Sequence, residues 1–343
     1  MSQNPSPASS GETNPRDVVT ADGIPAATSA EGTTAPGTTA PGTAAPEAAV
    51  RPSRRTGVDQ HKRTLLRLNA SIVIGAVLVI LIFALALVSF LWTPYDPSAV
   101  DPVARLQSSS LEHPFGTDMF GRDTLTWVMY GARITLMVGI VAVGIALLIG
   151  TPIGVIAALF AQYPWGAWIG AVIMRANDIL LAFPALLLAI IFAAVYQPGT
   201  GPAMVAVGIA AIPGFARVAR SGTMQVLGSE YVRAARASNR RVPAIALFHV
   251  LPNIAGMVIV QASVAFAISI LAEAGLSFLG LGTQAPVPSW GRMLQESQQF
   301  LSTHPGLALW PGLFIALAVL GFNLLGDGLR DRFDPKMEAR GNG

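Results

Sequence analysis

The chain has 343 residues, of which 52% are hydrophobic and 12% charged, and it contains no cysteine. A soluble domain carries about a quarter charged residues, so half that density leaves too little polar surface to cover a water-exposed globule. The formal net charge of +3, from 22 basic and 19 acidic residues, is not the signature of a nucleic-acid binder, and the missing thiols exclude disulfides and thiolate chemistry.

Only two lysines occur, Lys62 and Lys336, and they are followed by Arg63 and Met337. Neither stands in a phosphate-cradling G-x-x-x-x-G-K-[ST] loop, so the chain lacks this kind of ATP site.

Residues 1 to about 50 are rich in Ala, Pro, Thr, Ser and Gly, with near-repeats at Thr34–Thr38 and Thr39–Thr43. Such a composition cannot bury enough apolar area to offset chain entropy, which predicts a disordered tail over 1–64 with a basic end. No apolar core lies in the first 30 residues, so a signal peptide is not expected. The basic cluster Arg51, Arg54, Arg55, Lys62, Arg63 and Arg67 abuts the apolar run Ala70 to Trp92. Basic residues beside a first span hold that end in the cytoplasm, and Trp92 and Tyr95 suit the opposite interface.

Residues 93–133 are polar and rich in turn residues, among them Pro94, Pro97, Pro102, Pro114, Gly116 and Gly121. This segment is expected outside the membrane and, with the first span, forms a region 65–133. Asp118 and Asp123 flank Gly121, but the alternating ligand spacing and terminal Glu of a calcium loop are missing. A capped interfacial helix is preferred to a metal site here.

Five further apolar runs follow: Ile134 to Phe160, Trp168 to Tyr196, Ala203 to Val218, Ile254 to Leu279 and Leu307 to Leu325. Six spans return the C-terminus to the cytoplasm beside Arg330, Arg332, Lys336 and Arg340. The core thus runs over 134–337, with a tail at 338–343. Gly139, Gly144, Gly150 and Gly154 permit close helix approach, and Pro152 and Pro184 permit kinks. Arg175 and Asp178, three apart near the start of the third span, are candidate pathway residues by their depth, but a pair on one helix face is the preferred reading. Glu273, near the outer end of the fifth, either faces the pathway or pairs locally.

The longest cytoplasmic loop, 221–253, is patterned in detail. Gly228 breaks the preceding helix, Ser229 is placed to cap the next, and Glu230 sits in its positive first turn. Tyr231 to Ser238 continues the helix, Arg236 lies in its last turn, and Asn239 suits the left-handed closing position. Pro243 suits the first turn of a second short helix that ends before Pro252. Ala234, Ala235 and Ala237 make one side nearly smooth. A smooth face with basic flanks fits a groove on another protein better than lipid, which favours Trp, Phe or Leu on the buried face.

Glu230–Ala237 with His249–Asn253 resembles the cytoplasmic EAA loop of ABC-importer permeases, and more narrowly the C-type subunit of dipeptide and oligopeptide importers. Further matching stretches are His113–Asp118 with Gly121–Asp123, Tyr130–Arg133, Asp178–Pro184, Glu273–Gly282, Pro288–Gly291 and Asn323–Asp331. The resemblance covers about 65–337; Asn239 stands where the family usually has Gly.

The resemblance implies an all-α polytopic membrane protein of the MetI-like permease type, with about six transmembrane helices and a cytoplasmic coupling helix. It implies alternating access driven by ATP, with Glu230, Tyr231, Ala234, Ala235, Arg236 and Asn239 forming the ATPase-coupling element. Implied partners are a homologous B-type permease, two ABC ATPase subunits, an extracytoplasmic peptide-binding protein and the lipid bilayer. No cofactor, metal or catalytic residue is expected on this chain, because ATP and Mg²⁺ belong to the ATPases. The implied location is the bacterial inner membrane, with both termini cytoplasmic. Nickel, glutathione or an opine is the alternative cargo within the class. A secondary transporter is the alternative outside it, and would place more ionisable residues deep in its spans. A membrane scaffold is a third reading, which the patterned loop disfavours.

Overall fold

The computed structural model describes residues 56–333, with side chains from residue 70 onward. The Pro/Ala/Thr-rich tail, the charges of the basic cluster, Lys336 and Arg340 lie outside the described side chains. The described residues form ten α-helices: α1 Thr56–Leu91, α2 Thr124–Phe160, α3 Ala167–Ala182, α4 Ala185–Tyr196 and α5 Thr200–Leu227, then α6 Glu230–Ala237, α7 Val242–Ile245, α8 Leu251–Phe278, α9 Trp290–Ser297 and α10 Gly306–Phe333. No extended strand occurs among them; one isolated bridge joins Thr117 and Asp123.

Five stretches are long and apolar enough to cross a membrane: Ala70–Leu91, Thr124–Phe160, Thr200–Leu227, Val242–Phe278 and Gly306–Phe333. The remaining expected span, the third, is two helices, α3 and α4, bent by 81° at Phe183-Pro184. Proline removes one backbone donor and pushes the preceding residue out of the helical region. Phe183 accordingly has φ −76° and ψ 125°, and the sharp break replaces the expected kink.

Two further boundaries differ from the sequence reading. Helix α2 starts at Thr124, ten residues before Ile134, so a division at 133/134 cuts through a continuous helix. The Asp123 carboxylate fixes that start by accepting from the backbone N–H and the hydroxyl of Thr126, both at 2.8 Å. The second short helix also does not end before Pro252. Helix α7 runs through a π-helical turn, Ala246–Val250, into α8, with the Leu251 N–H bonded to Ala246 O. A wide turn just before a proline provides a local adjustment to its missing donor.

Small residues set the helix spacing. On Gly150, a Cβ would stand 2.6 Å from the Ile212 carbonyl oxygen, and on Gly154 it would overlap the Ala216 carbonyl. Helices α2 and α5 therefore pack backbone to backbone. Gly75, Gly321 and Gly328 do the same for α1 against α10. The core collects Ile82, Trp127, Phe215, Ile254, Phe266, Ile270 and Trp290 among others.

Segment 93–123 is a folded shelf over one end of the bundle. Gly121 has φ +77°, and a Cβ there would collide with the Asp101 carbonyl. Asp118 accepts from the backbone N–H groups of Phe120 and Arg122 and from Arg122 Nε. Arg122 also bonds Glu296 on α9 at 2.7 Å and lies over the Trp127 ring. Trp290, fully buried, donates to Val128 O at 2.9 Å and abuts Gly131. Phe115 stacks on Trp310 of α10 at 3.9 Å. The matching stretches at 113–123 and 130–133 thus meet the distant stretch 288–291 in one assembly. Asp118 and Asp123 serve as a turn ligand and a helix cap, with Asp123 also 3.0 Å from His113 Nδ1.

Candidate functional site

Helix α6 hangs from the bundle between the end of α5 and α7. Gly228 follows α5 as its C-cap, and Ser229 takes the extended N-cap conformation, φ −74° and ψ 155°. Its hydroxyl does not cap α6, as the sequence suggested. It turns back and donates to Val226 O at 2.6 Å, tying the start of α6 to the end of α5. Glu230 occupies the first turn and Arg236 the last, each at the end its charge favours.

The other end closes as the Asn239 reading expects. Asn239 has φ +56°. Its N–H bonds Arg236 O at 2.9 Å, and the Arg240 N–H bonds Ala235 O at 3.1 Å. These are the two hydrogen bonds of a Schellman closure, which needs a left-handed residue at this position. Asparagine supplies it at lower cost than a branched residue.

One buried apolar side chain anchors the helix. Val232 is fully buried and joins the cluster containing Leu227, Ile245, Val250 and Ile254. Glu230, Tyr231, Arg233, Ala234, Arg236 and Ala237 are exposed, and Ala235 is half-buried. Arg236 donates to Gln162 in the turn after α2, a second tether. The Tyr231 and His249 rings lie 6.2 Å apart, and Asn253 donates to His249 O at 2.6 Å, so the two halves of the loop motif meet in space. Leu247 and Phe248 are exposed on the π-helical turn beyond α7. From 230 to 241 the charges are one glutamate against Arg233, Arg236, Arg240 and Arg241. The element is basic, smooth, rigidly closed at its C-terminal end and solvent-facing on most sides.

The other candidates fall elsewhere. Asp178 does not pair with Arg175. It accepts from Arg217 of α5 at 2.6 Å, both side chains about half exposed. A partner on the neighbouring helix displaces the local one, and the pair bridges α3 and α5. Asn177, buried, spends its amide on Ile173 O at 3.0 Å. Glu273 is fully buried and pairs locally: Oε1 accepts from Ser277 at 2.7 Å and from Thr283 at 3.2 Å. Thr283 in turn meets Thr200 at the start of α5. None of these three joins α6.

Sequence reading missed Val232, Gln162 and Arg217. Val232 had a signal, as the one aliphatic β-branched residue in an otherwise polar or small octet. Gln162 and Arg217 act through contacts 74 and 39 residues away in the chain, which no local pattern encodes.

Residues 150–339, which include α6 and all its supports, match the family described as binding-protein-dependent transport system inner membrane component. The chain belongs to that family. The permease is 44% identical over 285 residues to the dipeptide transport system permease protein DppC of Alkalihalophilus pseudofirmus, covering 83% of this chain and 90% of that one. It is 38% identical to the glutathione transport system permease protein GsiD of Pectobacterium atrosepticum, covering 84% and 94%. A solved structure of the MetNI methionine ABC transporter in inward facing conformations is 15% identical, covers 59% of this chain and 96% of that one, and has a TM-score of 0.48. The permease is thus a multi-pass inner membrane component of a binding-protein-dependent transport system.

Proposed function

We propose that this permease is the C-type subunit of an ATP-driven importer of dipeptides or oligopeptides, and that α6 is its mechanical link to separate ATPase subunits. The observation that carries the reading is the construction of α6. A helix exposed on most sides, anchored by one buried valine and closed by a two-bond C-terminal motif, is built to fill a partner's groove without fraying. Its arginine excess suits an acidic groove. The 44% identity to a dipeptide permease supports the cargo.

In this reading the chain pairs with a homologous B-type permease, two ABC ATPases hold ATP and Mg²⁺, and an extracytoplasmic binding protein delivers the peptide. ATP-driven closure of the ATPases displaces α6, and the contact chain from Val232 through Ile254 passes the displacement to α8. Helix α6 and both chain termini are cytoplasmic, and the shelf at 93–123 is extracytoplasmic. Glutathione is the second cargo reading, favoured by the 38% identity to a glutathione permease.

The test is reconstitution of the complete complex with its binding protein. Dipeptides should raise the ATPase rate and be taken up. Stimulation by glutathione alone would replace the peptide reading. Orientation is tested separately with Ser229→Cys in this cysteine-free chain, where labelling from outside intact cells would reverse the topology.

A further inference from the structure

A groove of about 790 Å³ runs between α1 and α2. Ile80, Phe83 and Leu87 line one side, and Arg133, Met137 and Val141 the other. Among the described residues, Arg133 is the only charged one in the lining. Its Nε donates to Ser89 at 2.5 Å, and its guanidinium lies 4.0 Å from the Phe90 ring centroid and 3.9 Å from that of Tyr130. Its Nη groups bond no acceptor among the described residues.

Depth identifies the occupant. The apolar part of α1, Ala70–Leu91, is 22 residues long, so at about 1.5 Å per residue it spans the roughly 30 Å hydrocarbon core. Phe90 therefore lies at one face and Ile80 near the midplane. The groove from Phe90 to Ile80 is about 15 Å long, one leaflet deep. The guanidinium sits at its interfacial mouth, level with Ser89 and just inside the exposed Trp92. An aliphatic trough one leaflet long, with a fixed cation at headgroup level, is complementary to a single glycerophospholipid. A helix from another protein would leave the guanidinium desolvated unless it brought a carboxylate to that one level.

We propose that this groove is a phospholipid-binding site, in which an acyl chain lies along Leu87, Phe83 and Ile80 and the phosphate accepts from the Arg133 Nη groups. Ser89, Phe90 and Tyr130 hold the guanidinium in place, so little side-chain freedom is lost when its fork meets the phosphate oxygens. On the orientation proposed above, the lipid belongs to the outer leaflet. The lipid would act as a fixed spacer between α1 and α2, the first described helix and a helix packed directly on α5.

The test uses the full-length permease within its assembled complex, reconstituted with phosphatidylglycerol and analysed by native mass spectrometry after detergent washing. One phosphatidylglycerol should survive per permease. Arg133→Gln should lower its retention about tenfold, the size of a lost charge-assisted contact. Ala84→Trp, an exposed groove position that leaves Arg133 intact, should also expel the lipid. Diacylglycerol with the same chains should not be retained. A photo-crosslinker at Met137 should capture lipid. Equal retention by wild type and Arg133→Gln, equal retention of diacylglycerol, or cross-linking of Met137 to another protein chain would each overturn the proposal.

Discussion

Val232→Ala isolates the attachment of α6. The side chain is fully buried, and the substitution removes two carbons from a packed cluster. At about 0.8 kcal/mol per buried carbon plus a small cavity cost, the loss is about 2 kcal/mol. Alanine is the better helix former by about 0.5 kcal/mol, which offsets part of it. The net weakening of about 1.5 kcal/mol corresponds to about a tenfold rise in the population of detached α6. Hydrogen exchange reads this directly. The amides of Ser238, Asn239 and Arg240 are held by Ala234 O, Arg236 O and Ala235 O, and they should exchange about tenfold faster in the variant. Peptides from the α2–α5 seam should be unaffected. Transport per ATP hydrolysed should fall, because a detached helix transmits less displacement. Unchanged exchange at these three amides would show that the ties at Ser229 and Arg236 suffice to hold α6 and would refute Val232 as its main anchor.

Asn239→Gly should leave uptake within about twofold, since glycine adopts the same left-handed backbone, whereas Asn239→Val should cost about 1–2 kcal/mol in exchange protection of the same amides. A double-mutant cycle between Asp178 and Arg217 should show coupling of less than about 1 kcal/mol, as both side chains are about half exposed, and a cycle between Asp178 and Arg175 should show none; the reverse ranking would restore the local pair. Gly150→Leu should prevent stable assembly of the bundle, because the new side chain meets Ile212 O and the Phe215 Cβ; normal yield and thermal stability would contradict the close α2–α5 seam. Arg122→Ala should lower thermal stability by more than any exposed arginine, since it leaves the partly buried Asp118 without its cation and Glu296 with Arg292 alone.

The spans were legible because a bilayer demands long apolar runs, and Ile254 to Leu279 or Leu307 to Leu325 admit no other reading. The left-handed Asn239 was legible because its requirement is local. Boundaries failed where tertiary or long-range terms decide them. Asp123 starts α2 ten residues early because its carboxylate caps Thr126, while Trp290 packs on the next turn at Val128 and Gly131. Pro252 looked like a stop, but a π-helical turn accommodated it. Ser229 looked like a cap, but its hydroxyl joins its own N–H on the carbonyl of Val226. Asp178 looked like a partner for Arg175, and only the approach of α5 supplies Arg217 instead. The smooth face and basic flanks of α6 were readable, but the role of Val232 as its anchor needed the packing of α5, α7 and α8.

Coupling through α6 is tested most directly by cross-linking. Ala234→Cys in the otherwise cysteine-free permease, combined with a scan of single cysteines along the groove of the ATPase subunits, should give a specific disulfide whose formation stops peptide uptake and whose reduction restores it. The same disulfide should be lost when Ala235→Asp is added, together with uptake, while the permease remains membrane-inserted. Full uptake by Ala235→Asp at normal expression, or failure of every groove position to capture Ala234→Cys, would contradict the assignment of α6 as the link to ATP hydrolysis.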